Sequence, residues 1–248
     1  MKKTLLWITL LLWGTSFSSF VLANNPPQKS LKIWDGAVGA GLSMITGNTN
    51  TTNLNFSFDL VRDPQKRSLI KLGALYIRAK VNDVVNKDRV RFYFRDDYKL
   101  SQKVFLFGSF DYQRDPIKAI TYLLNPSAGV GYRALSTDRF QFNIGSGGGA
   151  IWEKNMGLEV DAIPSLNVNQ ELEFQISETA RLTEKISGLW RTTDLDNALY
   201  HFVTAISVNI IEGVNLKVEF HFDHKSKPTA IDILRNDTAT LLSLVYKF

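Results

Sequence analysis

Apolar and polar residues alternate along most of the chain with a period of two. Across residues 52–60 the even positions are apolar or β-branched, and the odd positions are polar, namely Asn53, Asn55, Ser57 and Asp59. Successive side chains of a strand point to opposite faces, so this pattern predicts strands with one apolar and one polar face. The alternation returns near residues 89–99, 200–210 and 216–223. The predicted fold class is therefore all-β.

Twelve strands are predicted, and their connections differ in length. The strands cover residues 33–46, 51–63, 67–80, 87–100, 103–114, 126–135, 138–153, 164–177, 180–192, 199–211, 214–224 and 237–248. The third strand has a mixed pattern between Leu69 and Ile77, which leaves its facing open to a shift by one residue. Connections such as Ser101–Gln102 are short, whereas 115–125, 154–163 and 225–236 are long and fall on one side.

These lengths favour a membrane barrel over a soluble β-sandwich, which also alternates. Soluble strands usually have about 5–6 residues, whereas a tilted strand that crosses a bilayer has about 9–11. Short periplasmic turns, longer outer loops and an even strand number are typical of outer-membrane barrels. Since hydrocarbon cannot satisfy free backbone groups, the sheet must close. The predicted architecture is a single antiparallel transmembrane β-barrel of about 12 strands.

The beginning of the chain has the features of an export signal. Lys2 and Lys3 precede an apolar segment at residues 5–13, and Val21-Leu22-Ala23 fits a signal-peptidase site. The apolar segment is shorter than the roughly 20 residues of a membrane-spanning helix. We therefore expect residues 1–23 to be a cleaved signal peptide, 24–30 an N-terminal extension, and 31–248 the barrel. The expected location is the cell outer membrane of a Gram-negative bacterium.

The net charge and the cysteine content argue against several kinds of partner and binding site. Cleavage after Ala23 would lower Lys+Arg from 29 to 27 against 24 acidic residues, a net charge of about +3 (27 − 24). This weak charge and the expected export give no reason to predict a nucleic-acid partner. The chain has no cysteine, so disulfides and thiolate metal sites are excluded. The glycine run at residues 145–149 lacks the Lys-Ser/Thr of a phosphate loop.

The last strand and several short motifs resemble known outer-membrane proteins. Tyr246 and Phe248 share one face of a terminal strand that resembles the targeting strand read by the barrel assembly machinery. The order of Gly47-Asn48-Thr49, Asp97-Tyr98, residues 129–133 and residues 244–248 resembles the salt-induced outer-membrane protein family, a family of unknown function. The family usually has Lys-x-Asp before its last strand, where this chain has Arg235-Asn236-Asp237. The resemblance implies an outer-membrane barrel and brings no catalytic residues.

The inward face is expected to be charged, and it carries the candidate functional residues. The parity of a residue, meaning whether its number is odd or even, decides its face on an alternating strand. The odd-numbered residues expected on the inward face include Arg89, Arg91, Arg95, Asp97, Lys217, Glu219 and His221. Such residues can line a water-filled path, in which arginine and lysine favour anions, or they can pair and fill the barrel. Twelve strands lie between the filled eight-stranded and the open sixteen-stranded barrels. Asp96 is an exception, since its parity points outward; a headgroup position or a local bulge would explain it.

Functions other than a passive pore stay open at this point. A lipid hydrolase, of the phospholipase or lipid A deacylase type, would need a serine beside a histidine, and His224 with Ser226 is the candidate pair. We expect no enzyme activity, no cofactor and no metal site. A plugged barrel could act through its outer loops, and Ile120, Leu123 and Leu124 could form a partial plug. Lipid and lipopolysaccharide are the expected partners, with Lys118, Lys225, Lys227 and Arg235 as candidate phosphate contacts.

Overall fold

The computed structural model describes residues 33–45, 51–64, 67–155, 160–228 and 234–248. The predicted signal peptide and the N-terminal extension lie outside these residues. Within the described ranges, no helix is long and apolar enough to cross a membrane. Twelve strands and one short 3-10 helix make up the regular structure of the described residues.

The strands are long and joined as hairpins. Their bounds are β1 Trp34–Ile45, β2 Thr51–Arg62, β3 Ser68–Val81, β4 Val84–Lys99, β5 Val104–Asp115, β6 Ile120–Ser136, β7 Phe140–Asn155, β8 Val160–Gln175, β9 Ala180–Arg191, β10 Asp194–Ile211, β11 Val214–Lys225 and β12 Asn236–Lys247. The 3-10 helix, Pro116–Lys118, joins β5 to β6. Every strand has at least 12 residues, which is enough to cross a bilayer at the usual tilt.

The sheet closes into one antiparallel barrel. Each strand pairs with its neighbours in sequence, and β1 pairs with β12 through Ala37–Lys247 to Ala40–Leu244. This confirms the predicted closed barrel of twelve antiparallel strands. We call the end where β1 begins and β12 ends the terminal end, and the opposite end the far end.

The strand registers explain why the odd or even number of a residue tells which face of the barrel its side chain lies on. Paired residues have the same parity on every strand pair, for example Ala37 with Asp59 and Tyr93 with Asp111. Apart from bulges near strand ends, odd-numbered residues therefore face inward on all twelve strands. This settles the facing of β3, where Gly73 and Ile77 are buried. Even-numbered apolar residues stay exposed on the outside, as expected for a wall in contact with lipid.

The connections at the far end differ from the sequence-based expectation. We predicted long loops at 115–125 and 154–163, but β6 already begins at Ile120 and β8 at Val160. Strands β4 and β10 also begin before their predicted starts, at Val84 and Asp194. Pairing extends beyond the expected bounds because the added inward residues find partners there, as the buried Ile120 and Leu123 do.

Inward glycines of β6 make room for aromatic side chains of β5. Each of these glycines, Gly129 and Gly131, faces a ring, because a Cβ would overlap Phe107 at Gly129 and Phe105 at Gly131. Both rings are buried. The rings thus lie against a wall without side chains and leave space in the lumen for larger polar groups.

Candidate functional site in the barrel lumen

The far half of the lumen contains a layer of buried ion pairs centred on Arg89. This arginine of β4 is 1% exposed and binds three carboxylates on three other strands. Its Nε donates to Asp115 at 2.8 Å, its Nη2 donates to Asp237 at 2.9 Å, and its Nη1 binds Asp223. These contacts pair the buried charge and satisfy its N–H donors, which is needed because a buried unpaired charge is costly.

A second arginine reaches across the lumen beside the first. Arg91 Nη2 donates to Asp223 at 3.3 Å and lies 2.7 Å from Nδ1 of His201. Nδ1 of His201 also contacts the Asp223 carboxylate at 2.5 Å. Asp223 lies on β11, which four strands separate from β4 on one side and six on the other. These contacts therefore join opposite walls of the barrel.

The connection between β5 and β6 adds to the closure at the far end. The Asp115 side chain accepts a hydrogen bond from the backbone N–H of Lys118 and so caps the 3-10 helix. Lys118 Nζ lies 3.4 Å from Asp237. Burial lowers the pKa of this lysine, and the positive charge of Arg89 lowers it further.

An apolar cluster and a third ionic group complete the far layer. Ile120, Leu123 and Ile151 pack together in the lumen. Beside them Glu153, 1% exposed, binds Arg191 and accepts a hydrogen bond from Lys225 Nζ at 2.7 Å. The far half therefore combines apolar packing with paired charges. The predicted inward position holds for Ile120 and Leu123, whereas Leu124 has the outward parity.

A second ionic layer crosses the middle of the lumen. Lys71 on β3 donates to Glu171 on β8 at 2.7 Å and lies 3.4 Å from Asp97. Arg95 donates to Asp97 at 2.6 Å, and its guanidinium carbon lies 4.2 Å from the centre of the Phe107 ring. The aromatic face stabilises the cation. Arg95 is thus held against the glycine-lined wall.

Between and below these layers, inward-facing groups are exposed to solvent. Asp111 and Lys185 have inward parity but are exposed, and both lie near Tyr93, with Lys185 Nζ 5.3 Å from the centre of its ring. At the terminal end, a cavity of about 670 Å³ is lined by polar residues that include Gln175, Arg181 and Asn209. The lumen is therefore open to solvent at the terminal end and again between the two ionic layers.

The predicted lumen residues have different surroundings. All seven have inward parity: Arg89, Arg91, Arg95, Asp97, Lys217, Glu219 and His221. The two layers contain the four residues of β4. Lys217 instead binds Glu219 on its own strand, with Nζ 2.9 Å from the carboxylate. Nε2 of His221 is buried and has no hydrogen-bond partner among the described residues.

Sequence reasoning missed the acidic partners of the far layer. Asp115 was placed at the start of a predicted loop, Glu153 at the end of the seventh predicted strand, and Asp237 at the start of the last one. The available signal was their odd parity, which they share with Arg89. The pairing itself depends on which strands face each other across the barrel, and the alternation pattern does not contain that information.

The candidate hydrolase pair lies on the outside of the barrel. His224 Nδ1 lies 2.5 Å from Oδ1 of Asn236, and its ring packs beside Tyr200. Ser226 Oγ accepts from the backbone N–H of Ala198 at 2.7 Å and also contacts the Asp196 carbonyl. Its hydroxyl is thus bound to backbone rather than to the histidine. Among the described residues, no His, Asp and Glu side chains group as metal ligands would.

The terminal aromatic residues and the loop lysines are placed as follows. Tyr246 is exposed on the outer face, and its ring stacks with that of Phe248, with centroids 6.4 Å apart. Lys118 and Lys225 turn into the lumen, and Lys227 binds Asp194.

Asp96 faces outward and accepts a hydrogen bond from Ser68 Oγ at 2.6 Å, in a regular stretch of pairing without a bulge.

A family model covers most of the barrel. Residues 38–248 match the family described as "Protein of unknown function, DUF481", and the chain belongs to that family. The description mentions no salt response, so the salt-induced role stays a prediction. No curated protein is significantly similar in sequence to this chain.

Solved structures show the fold more clearly than the sequence comparison does. The translocator domain of the autotransporter NalP from Neisseria meningitidis has 10% identity and a TM-score of 0.50, with 89% of this chain and 90% of that chain covered. An outer membrane channel from Pseudomonas putida F1 has 12% identity and a TM-score of 0.49, with 91% and 100% covered. The NanC porin has 9% identity and a TM-score of 0.47, with 86% of this chain and 97% of that chain covered. The closed twelve-stranded sheet and the likeness to the NalP translocator domain together give the chain the fold of an outer-membrane β-barrel.

Proposed function

For this member of a family of unknown function, we propose a narrow outer-membrane pore for small ions and solutes, held closed by ion pairs that cross its far half. The observation that carries the proposal is the contact of Arg91 with Asp223 and His201 on the opposite wall. This contact closes the far half of the lumen. On its terminal side, Asp111 and Lys185 are exposed in a space that the Lys71–Glu171 pair of the second ionic layer bounds.

The chemistry of the far layer supports a passage that can open. Buried ion pairs contribute little net stability, and apolar side chains of similar volume fill a protein interior equally well or better. A barrel that only needed filling would therefore not require Arg89, Arg91 and Asp223. Charged pairs that separate would instead leave a hydrated opening lined by charge, which is how pores select ions.

The proposal includes a location and an orientation. The terminal end faces the periplasm, as the short hairpins and the last strand of outer-membrane barrels do. Export by the predicted signal peptide and recognition of Tyr246 and Phe248 by the barrel assembly machinery belong to this proposal. So does contact of the outer wall with lipid and lipopolysaccharide. We assign no enzyme activity, since the Ser226 hydroxyl is engaged with backbone.

Single-channel conductance in a planar bilayer tests the pore. We expect the refolded wild-type protein to open rarely and Arg91→Ala to raise the conductance or the open time several-fold. The matched control is Lys217→Ala, which removes a lumen cation whose partner, Glu219, lies on the same strand. Because that pair does not cross the lumen, we expect the control to behave as the wild-type protein does.

Two results would overturn the pore. Equal conductance of the wild type and Arg91→Ala would show that the crossing pairs do not limit the passage. Silence of both proteins would favour a second function, a plugged barrel that acts through its outer surface or as an envelope protein under salt or osmotic stress. The packing of Ile120, Leu123 and Ile151 in the far half supports this second candidate.

A further inference from the structure

On β9 a carboxylate interrupts the apolar surface of the outer wall. Glu184 of β9 has outward parity and is partly exposed. Leu182 continues the apolar surface on its terminal side, and Ile186 continues it on its far side. Ionisable groups at this depth in a membrane protein are costly and normally face protein or water rather than lipid. The position of Glu184 therefore points to a partner on the outside of the barrel.

Glu184 belongs to a small polar patch. Nε2 of Gln170 on β8 donates to its Oε1 at 3.0 Å, and Thr204 is its cross-strand neighbour on β10. Among the described residues, neither Glu184 Oε2 nor the Thr204 hydroxyl has a hydrogen-bond partner, and Gln170 has one N–H to spare. Outside the patch lie exposed apolar residues, including Val168 and Ile206.

We propose that this patch, formed by Gln170, Glu184 and Thr204, is the centre of an interface between two copies of the chain in the membrane. The patch contains a free acceptor and free donors, so it is complementary to itself. Around a two-fold axis the same patch meets its own copy, and the spare amide or hydroxyl of each copy can donate to the carboxylate of the other. A partner that offered only cations would leave the Gln170 and Thr204 donors unpaired.

The mass of the refolded protein in mild detergent, measured by light scattering, tests the interface. We expect a dimer for the wild type and a halved mass for Glu184→Leu, with the barrel still folded and heat-modifiable. Asp96→Leu is the matched control, because it removes an outward carboxylate from β4 on a distant part of the wall. If Glu184→Leu does not fold, Gln170→Leu takes its place in the same comparison.

Cross-linking in lipid vesicles gives a second readout that does not depend on the mass. The chain has no cysteine, so single cysteines report one position each. We expect a short bis-maleimide to join copies of Val168→Cys and not copies of Val38→Cys, whose native valines are 48% and 43% exposed. A monomeric wild type, a dimeric Glu184→Leu, or equal cross-linking of the two cysteine variants would overturn the proposal.

Discussion

The far and terminal halves of the lumen are built on the same strands but are filled differently. In the far half, large charged side chains such as Arg89 are buried and fully paired. In the terminal half, the ion pair of Arg181 with Glu173 is exposed, each side chain to 42%, and a cavity of about 670 Å³ remains. The same twelve strands run through both halves, so the size and pairing of the inward side chains decide where the lumen is blocked.

Removing the central cation of the far half should have the largest effect on stability. Arg89→Leu leaves Asp115 buried without its ion-pair partner and removes one of the partners of Asp223. Loss of one member of a buried ion pair costs about 3–5 kcal/mol. We expect a decrease of this size in the free energy of unfolding, measured by urea titration in detergent micelles.

The terminal half provides the control for that variant. Arg181→Leu removes an arginine from the exposed pair with Glu173, and exposed ion pairs contribute only about 0–1 kcal/mol. We therefore expect a small change in the same titration. Similar losses for the two arginines would contradict the distinction between a closed far half and a hydrated terminal half.

A smaller loss of stability is expected where an inward glycine of β6 packs against an aromatic ring of β5. Gly131→Ala places a methyl group against the Phe105 ring, and such overpacking costs about 1–3 kcal/mol. Gly108→Ala is the control, since a Cβ there meets no atom within 4 Å, and we expect no loss. Both are measured by urea titration. Recovery of stability in the double variant Gly131→Ala, Phe105→Leu would identify the ring as the cause, whereas no recovery would contradict it.

The alternation pattern could predict most of this fold but not the lengths of its far-end connections. Each predicted segment overlaps one strand, because a wall between lipid and a polar interior imposes a period of two on every strand. The run from Ile120 to Asn125 was assigned to a long loop between the fifth and sixth predicted strands. Its residues form a strand since they pair with the extended β7, a long-range effect with no local signature.

For the lumen, parity indicated which residues face inward but not which of them meet. Arg91 and Asp223 are 132 positions apart in the sequence, and their contact depends on the shape of the barrel cross-section. Parity likewise placed Lys217 beside Arg91 in one predicted set, although only the arginine crosses the lumen. Charge patterns alone cannot distinguish a pair on one strand from a pair that joins two walls.

The smallest effect on stability should come from the carboxylate that is exposed between the two ionic layers. Asp111 faces inward but is exposed, so Asp111→Asn should change the free energy of unfolding by less than about 0.5 kcal/mol. Its charge lies near those of Arg91 and Arg95, and its loss should shift the ion preference of an open lumen toward anions. The reversal potential in a salt gradient, measured in the Arg91→Ala background, detects this shift. Asp96→Asn, on the outer wall, should leave the reversal potential unchanged; a shift for both variants would mean that the effect does not arise in the lumen.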